Sequence, residues 1–458
     1  MSPCPSRLIA STLLLLTSLA VTPAALAQER PAPPSPIAAT GARRVLGLAE
    51  IERSALALQP QLVAAKANTN VAVAQADQAR APMLPQVVGN ASYTRETGNF
   101  APRPGAIPGA SGAPVGGSLF ATSYDYWQFG VTANQLLYDF GQTSGKYDAA
   151  KLTADSQRLT EHTTKLTILL NVRRTYFSAR AARELVDVAR ETLEGQNKHL
   201  AQVQGMVQVG TQPPIALAQQ KASVANAVVQ LITAQNNYET SKAQLNQAAG
   251  LPQGTDYDVS DEDTGPVADE DQPLETLVSK AVAARPEIAA LRRSRDAEQA
   301  SLSSAKGGYG PSIGATAGVT DVGLNLTQLV PNWNVGVGVT WPLFQGGVTR
   351  GLVHQVEAQI DSVNAQVSIE ELQVRLDVDS ARLAVRAAKA TIGAVEDALT
   401  SAREQLRLAE QRYSTGVGNI IELTDAQVAY TSAAAQVVGA RYGLASARAQ
   451  LLAALGRT

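Results

Sequence analysis

Two carboxylates in the C-terminal part of the chain could act together on cations. Glu422 and Asp425 are three positions apart in the run Glu-Leu-Thr-Asp-Ala-Gln, and on a helix this spacing places them on one face. If copies of the chain brought such pairs together, the carboxylates would form rings that favour cations in a pore. The alternative interpretation is an ordinary solvated helix surface.

Other residue types that support catalysis or metal binding are scattered. The three histidines, His162, His199 and His354, fit no His-Glu-x-x-His pattern, and we interpret them as solvated helix residues. The single cysteine is Cys4, and the sequence has no phosphate-binding loop. We therefore expect no catalytic residue, no metal and no cofactor, and an enzyme is the least favoured class.

An acidic run near the middle of the chain is the strongest candidate for a calcium site. Its spacing is not that of an EF-hand loop, so a solvated linker over residues 251–273 is favoured and calcium binding is the alternative. The run consists of Asp256, Asp258, Asp261, Glu262, Asp263, Asp269, Glu270 and Asp271.

The composition excludes one class of partner and favours extended helices. Lys and Arg number 38 against 40 Asp and Glu, for a net charge of −2, so no basic excess attracts nucleic acid. Aromatic residues make up 5% of the chain although 45% is hydrophobic. This balance favours long helices over a compact enzyme core.

Residues 1–27 have the pattern of a secretory signal peptide. Arg7 supplies the positive charge, an apolar stretch follows, and Ala25-Leu26-Ala27 forms a cleavage site. A transmembrane anchor is the alternative, but the apolar run is short. No later apolar run is long enough for a membrane helix, so a membrane that this chain crosses must be crossed by strands.

The chain beyond the signal is duplicated. Adding 206 to a position beyond residue 125 reaches its counterpart, and before residue 86 the offset is 226, because the first copy carries an additional loop between 98 and 118. Chance would not keep Trp, Gly and Pro in register over such a length. The matched pairs include Pro60 with Pro286, Trp127 with Trp333, Gly141 with Gly347, Gly210 with Gly416, and Gly250 with Gly456.

Each copy contains one segment that predicts a very long helix. These segments run from about 142 to 209 and from 346 to 415, lack proline, and repeat apolar or Ala residues every seven positions. Such a period predicts left-handed supercoiling against neighbouring helices. Roughly 70 helical residues would extend about 100 Å, which a globular core of this size does not need.

Each copy also contains two strand-like runs with most of the aromatic residues. Val335, Val337 and Val339 alternate with polar or small residues. The three tryptophans, Trp127, Trp333 and Trp341, fall in these runs, as interfacial aromatics of a membrane barrel would. A small soluble β-domain is the alternative. Four strands are too few to close a barrel, so further copies must supply the rest.

Short motifs follow the strands and mark the ends of the long helices. They are Gln135-Leu136-Leu137-Tyr138-Asp139-Phe140-Gly141, Val209-Gly210-Thr211, Tyr413-Ser414-Thr415-Gly416-Val417-Gly418 and Glu422-Leu423-Thr424-Asp425-Ala426-Gln427. With their order and duplication, the chain resembles a TolC-family outer membrane channel protein. The resemblance implies a mainly α fold with a small β part: a homotrimer with antiparallel coiled-coil helices in an α-barrel, and four transmembrane strands per chain in a 12-stranded barrel.

The resemblance also implies roles for residues at the hairpin tips. The periplasmic adaptor would contact Val209, Gly210, Thr211, Thr415, Gly416 and Val417, although these could be plain helix turns. Glu422 and Asp425 would form acidic rings at the tunnel entrance, beside the aromatic Tyr413. Family members that latch the entrance pair an arginine with a carboxylate at positions that are Gly418 and Ala216 here. We therefore predict that this ion pair does not hold the entrance shut.

The predicted function is the exit duct of a tripartite efflux pump in the Gram-negative outer membrane, with its helical tunnel in the periplasm. Implied partners are a periplasmic adaptor, an inner-membrane pump of RND or ABC type and outer membrane lipid. Type I secretion of polypeptides and a soluble periplasmic coiled-coil adaptor are the alternatives.

The predicted segments are a signal peptide (1–27), an N-terminal extension (28–43), a first repeat (44–250; strands near 85–97 and 123–138, tip near 210), an acidic linker (251–273) and a second repeat (274–458; strands near 311–323 and 332–344, tip near 416).

Overall fold

A computed structural model describes residues 44–97, 123–255, 257–261 and 265–457. The predicted signal, the N-terminal extension, the loop 98–118 and the acidic residues Asp256, Glu262 and Asp263 lie outside these ranges. The helices are α1 (Leu48–Leu58), α2 (Pro60–Arg80), α3 (Gln142–Gln208), α4 (Pro214–Ala249), α5 (Leu274–Ala284), α6 (Pro286–Gly307), α7 (Val348–Ser414) and α8 (Ile420–Ala454). The strands are β1 (Arg44–Leu46), β2 (Gln86–Thr97), β3 (Ser123–Tyr138), β4 (Tyr257–Val259), β5 (Ser312–Gly323) and β6 (Val330–Thr340).

The chain is mainly helical with a small β part, and this prediction is confirmed. Helices α3 and α7 have 67 residues each, which corresponds to about 100 Å of helix. Both begin after a glycine in the left-handed conformation, Gly141 with φ 87° and Gly347 with φ 89°. Glycine adopts this conformation without the steric cost that a Cβ atom brings. The long helices of the two copies therefore begin at equivalent glycines and have the same length.

The helical segments that precede the strands are each broken once. Gln59 and Arg285 are extended because each precedes a proline, and the proline starts the next helix. The two residues then cap other helices: Gln59 Nε2 donates to Ala248 O at 3.2 Å, and Arg285 Nε donates to Ala454 O at 2.8 Å.

Strands β2, β3, β5 and β6 form one antiparallel sheet in that order. The register puts most of the apolar side chains on one face, from Tyr93 beside Trp127 to Trp333 beside Val319 and Val335 beside Ala317. The opposite face carries Asn90, Thr132, Thr316, Asn334 and other small or polar residues. Strand β6 ends at Thr340, earlier than the predicted 344, because Pro342 cannot donate to a ladder and two glycines with positive φ follow.

The acidic linker is packed against the helices at Glu270, so its interpretation as solvated is wrong at that residue, whereas Asp261 and Asp271 are exposed. Strand β4 pairs in parallel with β1. Glu270 is 5% exposed and accepts hydrogen bonds from Arg448 Nε and Val267 N, each at 3.1 Å. Lys389 Nζ lies 2.6 Å from its other oxygen. The sequence showed the charges of this run but not their partners on α7 and α8.

None of the described helices is both long enough and apolar enough to span a membrane.

Candidate functional site

Each long helix ends in a tight glycine turn that leads into the second helix of a hairpin. In the first hairpin Gly210 has φ 78°, and Thr211 N donates to Met206 O at 2.9 Å. In the second, Gly416 has φ 77°, and Val417 N donates to Arg412 O at 3.0 Å. These are Schellman motifs, which satisfy the last helical carbonyl groups and require a left-handed residue.

The tips leave apolar side chains in solvent. Val209 is 75% exposed and Val417 is 73% exposed, and no atom lies within 4 Å of a Cβ placed on Gly210 or Gly416. Thr211 and Thr415 are exposed as well. The predicted contact residues are therefore accessible at both tips, and whether a partner binds them stays a prediction.

An apolar cluster lies beneath the tips and joins the two hairpins. Tyr413 is 1% exposed and Ala216 is 2% exposed within it. The Tyr413 hydroxyl has no hydrogen-bond partner in the described part of the protein, and burial raises the pKa of Tyr413. The remaining buried members are Val203, Ala409, Leu423 and Ala426.

The geometry leaves no room for the latch that the resemblance would place here. Ala216, where a carboxylate would stand, lies in the apolar cluster. At Gly418, where an arginine would stand, a Cβ would lie 2.8 Å from Tyr413 N and 2.9 Å from Arg412 C. Both positions therefore favour small apolar residues on packing grounds.

Because the Tyr413 hydroxyl has no hydrogen-bond partner in the described residues, two substitutions of Tyr413 should differ in their effect on stability. Tyr413→Phe removes a buried donor without a partner, so we expect stability to be unchanged or higher by up to about 1 kcal/mol. Tyr413→Ala removes the buried ring, and we expect a loss of about 3–5 kcal/mol. Thermal unfolding of the detergent-solubilised protein measures both. A phenylalanine variant as unstable as the alanine variant would show that the hydroxyl has a partner.

The two predicted carboxylates have different surroundings. Glu422 Oε1 lies 3.1 Å from Arg412 Nε, so a cation partly neutralises it. Asp425 is exposed, and the ion pairs of the described chain do not include it. Both follow the start of α8, where Asn419 Oδ1 accepts a hydrogen bond from Ile421 N at 3.2 Å. Arg412 was missed because the turn brings it back to Glu422 over ten positions.

A second polar cluster, which the sequence did not indicate, lies between the hairpins above the tips. His199 Nε2 of α3 lies 3.3 Å from Glu410 Oε1 of α7, with the imidazole side chain 11% exposed. The interpretation of His199 as solvated is therefore wrong. Gln196 Nε2 donates to Gln427 Oε1 of α8 at 2.6 Å. These residues line a cavity of about 850 Å³ between α3, α7 and α8.

The three predicted interfacial tryptophans lie on or next to the sheet. The rings of Trp127 and Tyr93 are 4.5 Å apart. Trp333 is 79% exposed on β6. Trp341 is one residue beyond β6, and its Nε1 donates to Tyr309 O at 3.1 Å. Their exposed apolar surface is available for lipid, although a membrane contact stays a prediction.

Among the described residues of 44–457, no three His, Cys, Asp or Glu side chains lie close enough together to hold a metal ion.

Comparisons with known proteins agree on one family. A family profile described as "Outer membrane efflux protein" matches residues 52–251 and 277–457. Outer membrane protein TolC of Escherichia coli (strain K12) is 24% identical over 428 residues, 89% of this chain and 82% of its own length. The pyoverdine export outer membrane protein OpmQ of Pseudomonas putida is 24% identical over 399 residues, 86% of this chain and 82% of its own.

Solved structures share the fold. The outer-membrane channel OprN has a TM-score of 0.75 at 17% identity and covers 90% of each chain. The CmeC outer membrane channel of Campylobacter jejuni has a TM-score of 0.76 at 19% identity, over 89% of this chain and 85% of its own.

Proposed function

Because the chain belongs to the outer membrane efflux protein family, which includes TolC, and is therefore an outer membrane protein, we propose that three copies of it form the exit duct of an efflux pump. The duct would carry small molecules from a periplasmic adaptor and an inner-membrane pump to the exterior. The observation that carries this proposal is an apolar helix face in the second copy whose counterpart in the first copy is buried within the chain.

In the first copy, α3 packs against α8 of the second hairpin. Phe177 of α3 is 1% exposed and Val438 of α8 is 5% exposed, and both lie in one core cluster. Their counterparts at the offset of 206 are Leu383 of α7 and Ile232 of α4, which are 50% and 59% exposed. In the described chain α7 has no extensive contact with α4. A neighbouring copy would bury these two residues against each other, as Phe177 and Val438 are buried within the chain.

The exposed face of α7 extends over several turns. Leu372 is 69% exposed where its counterpart Leu166 is 9% exposed, and Leu376 is 61% exposed. Ile369 and Leu383 continue the same row at helical spacing. An exposed apolar row of this length on a helix indicates a surface that another helix covers. If α7 of each copy contacts α4 of the next copy, and this contact is repeated until the ring closes, the exposed apolar face of every copy is buried.

The sheet supports the same stoichiometry. It has one apolar and one polar face and four strands, so three copies would supply the twelve strands of a closed barrel with lipid outside and water inside. Trp333 and Trp341 are eight residues apart, about 26 Å of extended chain. At the strand tilt of about 40° in outer membrane barrels, this length spans roughly 20 Å across the membrane, against an apolar band about 25 Å tall.

The hairpin tips are the proposed docking points for the adaptor. They lie at the far ends of helices about 100 Å long, and they expose Val209 and Val417. We favour small-molecule efflux over type I secretion because the relatives include proteins described as pyoverdine export and toluene efflux components. The soluble adaptor alternative does not account for the apolar sheet face.

The proposal is tested by deleting the gene in the organism that encodes the chain and measuring accumulation of ethidium. We expect ethidium to accumulate in the deletion strain and to fall again when the full chain is restored. The purified protein should require detergent for extraction, form trimers and conduct KCl in planar bilayers. Release by a salt wash, or a monomer in detergent, would contradict the proposal.

Cation preference should depend on Asp425 more than on Glu422. Asp425→Ala removes a carboxylate that no cation balances, so we expect the K⁺ over Cl⁻ preference of the bilayer conductance to fall several-fold. Glu422→Ala should have a smaller effect because Arg412 lies 3.1 Å from this carboxylate. Glu357→Ala, which removes a carboxylate from α7 instead of α8, serves as the control. Equal preference in wild type and Asp425→Ala would refute the acidic ring.

A further inference from the structure

Arg174 lies on the face of α3 that the rest of the chain leaves open. The opposite face carries the linker: Tyr176 Oη donates to Ser260 O at 2.8 Å, and Arg180 Nη1 donates to Val259 O at 3.1 Å. Residues two positions apart on a helix are about 200° apart around its axis, so Arg174 is directed away from the linker. Its side chain is exposed, and its guanidinium joins no ion pair among the residues that the structure describes.

This open face would border the channel of the proposed trimer. Helix α3 packs against α2, α4, α6 and α8 of its own chain, so a neighbouring copy is not needed to complete its helix contacts. Three copies of the linker inside a ring of helices would obstruct the channel, and the linker must therefore lie on the outer surface. The face of α3 opposite the linker, with Arg174, then faces the lumen.

A cavity of about 210 Å³ lies beside Arg174, where α2 begins. No Asp or Glu of the described chain lines it. The guanidinium is therefore surrounded by groups that can donate hydrogen bonds without competing for its charge. Besides Arg174, the lining residues are three amides, one hydroxyl and two aliphatic side chains: Gln59, Gln61, Asn171, Thr167, Ile168 and Leu170.

The second copy has carboxylates at the matching places. Arg285 Nη1 lies 3.1 Å from Glu287 Oε1 and 3.0 Å from Asp377 Oδ2, so two carboxylates of the same chain neutralise this buried guanidinium. The pairs that match between the copies are Gln59 with Arg285, Gln61 with Glu287, Asn171 with Asp377, and Arg174 with Ser380.

The first copy thus has a guanidinium but lacks the carboxylates that would neutralise it. Gln61 and Asn171 are the amide equivalents of Glu287 and Asp377, and both amides are exposed. An anion from solution can occupy the place that the two carboxylates take in the second copy.

One carboxylate near Arg174 opposes such an anion. A second cavity that Arg174 lines, of about 300 Å³, also contains Glu287, Glu370 and Asp377. Arg285 neutralises Glu287 and Asp377, whereas Glu370 joins no ion pair of the described chain. The negative charge of Glu370 should weaken anion binding at Arg174, and its removal should strengthen it.

We propose that Arg174, Asn171 and Gln61 form a site on the tunnel wall that binds the carboxylate group of a small organic anion. A guanidinium binds a carboxylate through two parallel hydrogen bonds, the amides can donate further ones, and Leu170 offers an apolar surface to the rest of the molecule. The place of the site inside a tunnel rests on the proposed function, whereas the binding itself needs only one chain. The duct would then carry anionic solutes past one such site in each chain.

Equilibrium dialysis of radiolabelled salicylate against the purified, detergent-solubilised full chain tests the site. Salicylate joins a carboxylate to a small apolar ring. We expect one molecule bound per chain, with an affinity at least about tenfold lower in Arg174→Gln and higher in Glu370→Gln. Arg190→Gln should bind like the wild type: it removes the same charge from another exposed position of α3, where Arg190 pairs with Asp187 at 3.0 Å.

Asn171→Asp tests the site without removing the guanidinium. Three positions apart on a helix, the new carboxylate can reach Arg174 and neutralise it as Asp377 neutralises Arg285. We expect salicylate binding to fall as far as in Arg174→Gln, whereas Asn171→Ser, which adds no charge, should weaken it less. Asn171 is exposed, so thermal unfolding of both variants should match the wild type.

The reversal potential of planar bilayers under a KCl gradient tests the position in the lumen. Arg174→Gln removes positive charge from the tunnel wall, so the K⁺ over Cl⁻ preference should rise, by up to about twofold. Salicylate should raise this preference in the wild type and leave Arg174→Gln unchanged. Equal salicylate affinity in wild type, Arg174→Gln and Asn171→Asp would overturn the site. Arg174-dependent binding that leaves the ion preference unchanged would overturn its position in the lumen.

The proposed function and this inference fail separately. A wild-type protein that forms no trimers and conducts no KCl refutes the proposed function, and dialysis still decides whether the chain binds salicylate through Arg174. Conducting trimers that bind no salicylate through Arg174 refute the inference alone.

Discussion

Replacing Leu383 with glutamate is expected to convert the protein from trimers into single chains. Leu383 is 50% exposed in one chain, and the α7–α4 contact would bury it beside Ile232 of the neighbour. The substitution removes about 2 kcal/mol of apolar burial and places a carboxylate with no cation opposite it, which costs several kcal/mol more. A closed ring of three copies would have three such contacts, so the losses would act on every interface at once.

The measurement is the mass of the detergent-solubilised protein, by light scattering or native mass spectrometry. Asn364→Glu is the matched control, because it adds the same charge at an exposed position of α7 whose counterpart in the first copy, Arg158, is exposed as well. It lies outside the row of Ile369, Leu372, Leu376 and Leu383. We expect the control to stay trimeric and Ile232→Glu to behave like Leu383→Glu. Trimers of Leu383→Glu with wild-type stability would mean that this face does not carry the assembly.

The repeat in the sequence was the reason that so much of the fold could be predicted. Gly141, Gly210 and their counterparts fix where the long helices begin and end through local conformation alone. The alternation of valine with small or polar residues in β6 likewise predicts the two faces of a sheet. Signals of this kind depend on neighbours in sequence, and so they are visible without coordinates.

Contacts between distant segments were not predictable in the same way. Glu270 looks like any residue of an acidic run, and its burial depends on Lys389 and Arg448 on two other helices. His199 is half of a pair with Glu410, which follows it by more than two hundred positions. The partner of a polar side chain is set by packing, and a pattern of residue types does not specify it.

The repeat comparison recovers some of this information once one copy has been seen folded. Thr192 and Thr431 meet within the chain, so their counterparts Ala398 and Ala225 mark the matching place in the contact between copies. The differences between the copies then become informative, because identical backbones with different side chains isolate what the side chains do. Near the tips, the in-chain junction contains the buried hydrogen bond between Gln196 and Gln427, and the counterparts of these two residues are Ala402 and Lys221.

Glu270→Ala is expected to cause the largest loss of stability among single substitutions in the linker. The carboxylate is buried and contacts Lys389, Arg448 and the amide of Val267, so it ties the linker to α7 and α8. Removing one partner of a buried ionic cluster typically costs about 3–5 kcal/mol. Asp271→Ala is the control: its side chain is 81% exposed, although it also pairs with Lys389 at 3.0 Å, and an exposed pair contributes at most about 1 kcal/mol.

Thermal unfolding of the detergent-solubilised protein and proteolysis of the linker measure the effect. We expect Glu270→Ala to unfold at a lower temperature and to be cleaved faster between residues 260 and 272, and Asp271→Ala to match the wild type in both. Equal behaviour of the two variants would show that Glu270 is as solvated as its neighbour.

The same carboxylate should give the wild type an acid-dependent stability that Glu270→Ala lacks. Burial disfavours the charged form, but hydrogen bonds from Lys389, Arg448 and Val267 outweigh it and lower the pKa of Glu270. A lowered pKa stabilises the fold fully above the ordinary glutamate pKa of about 4.3, and this stabilisation is lost as the pH falls below that value. The gap between wild type and Glu270→Ala should therefore be wide at about pH 7 and narrow at about pH 3. A gap of constant width would mean that Glu270 stabilises the linker by packing, because packing does not depend on ionisation.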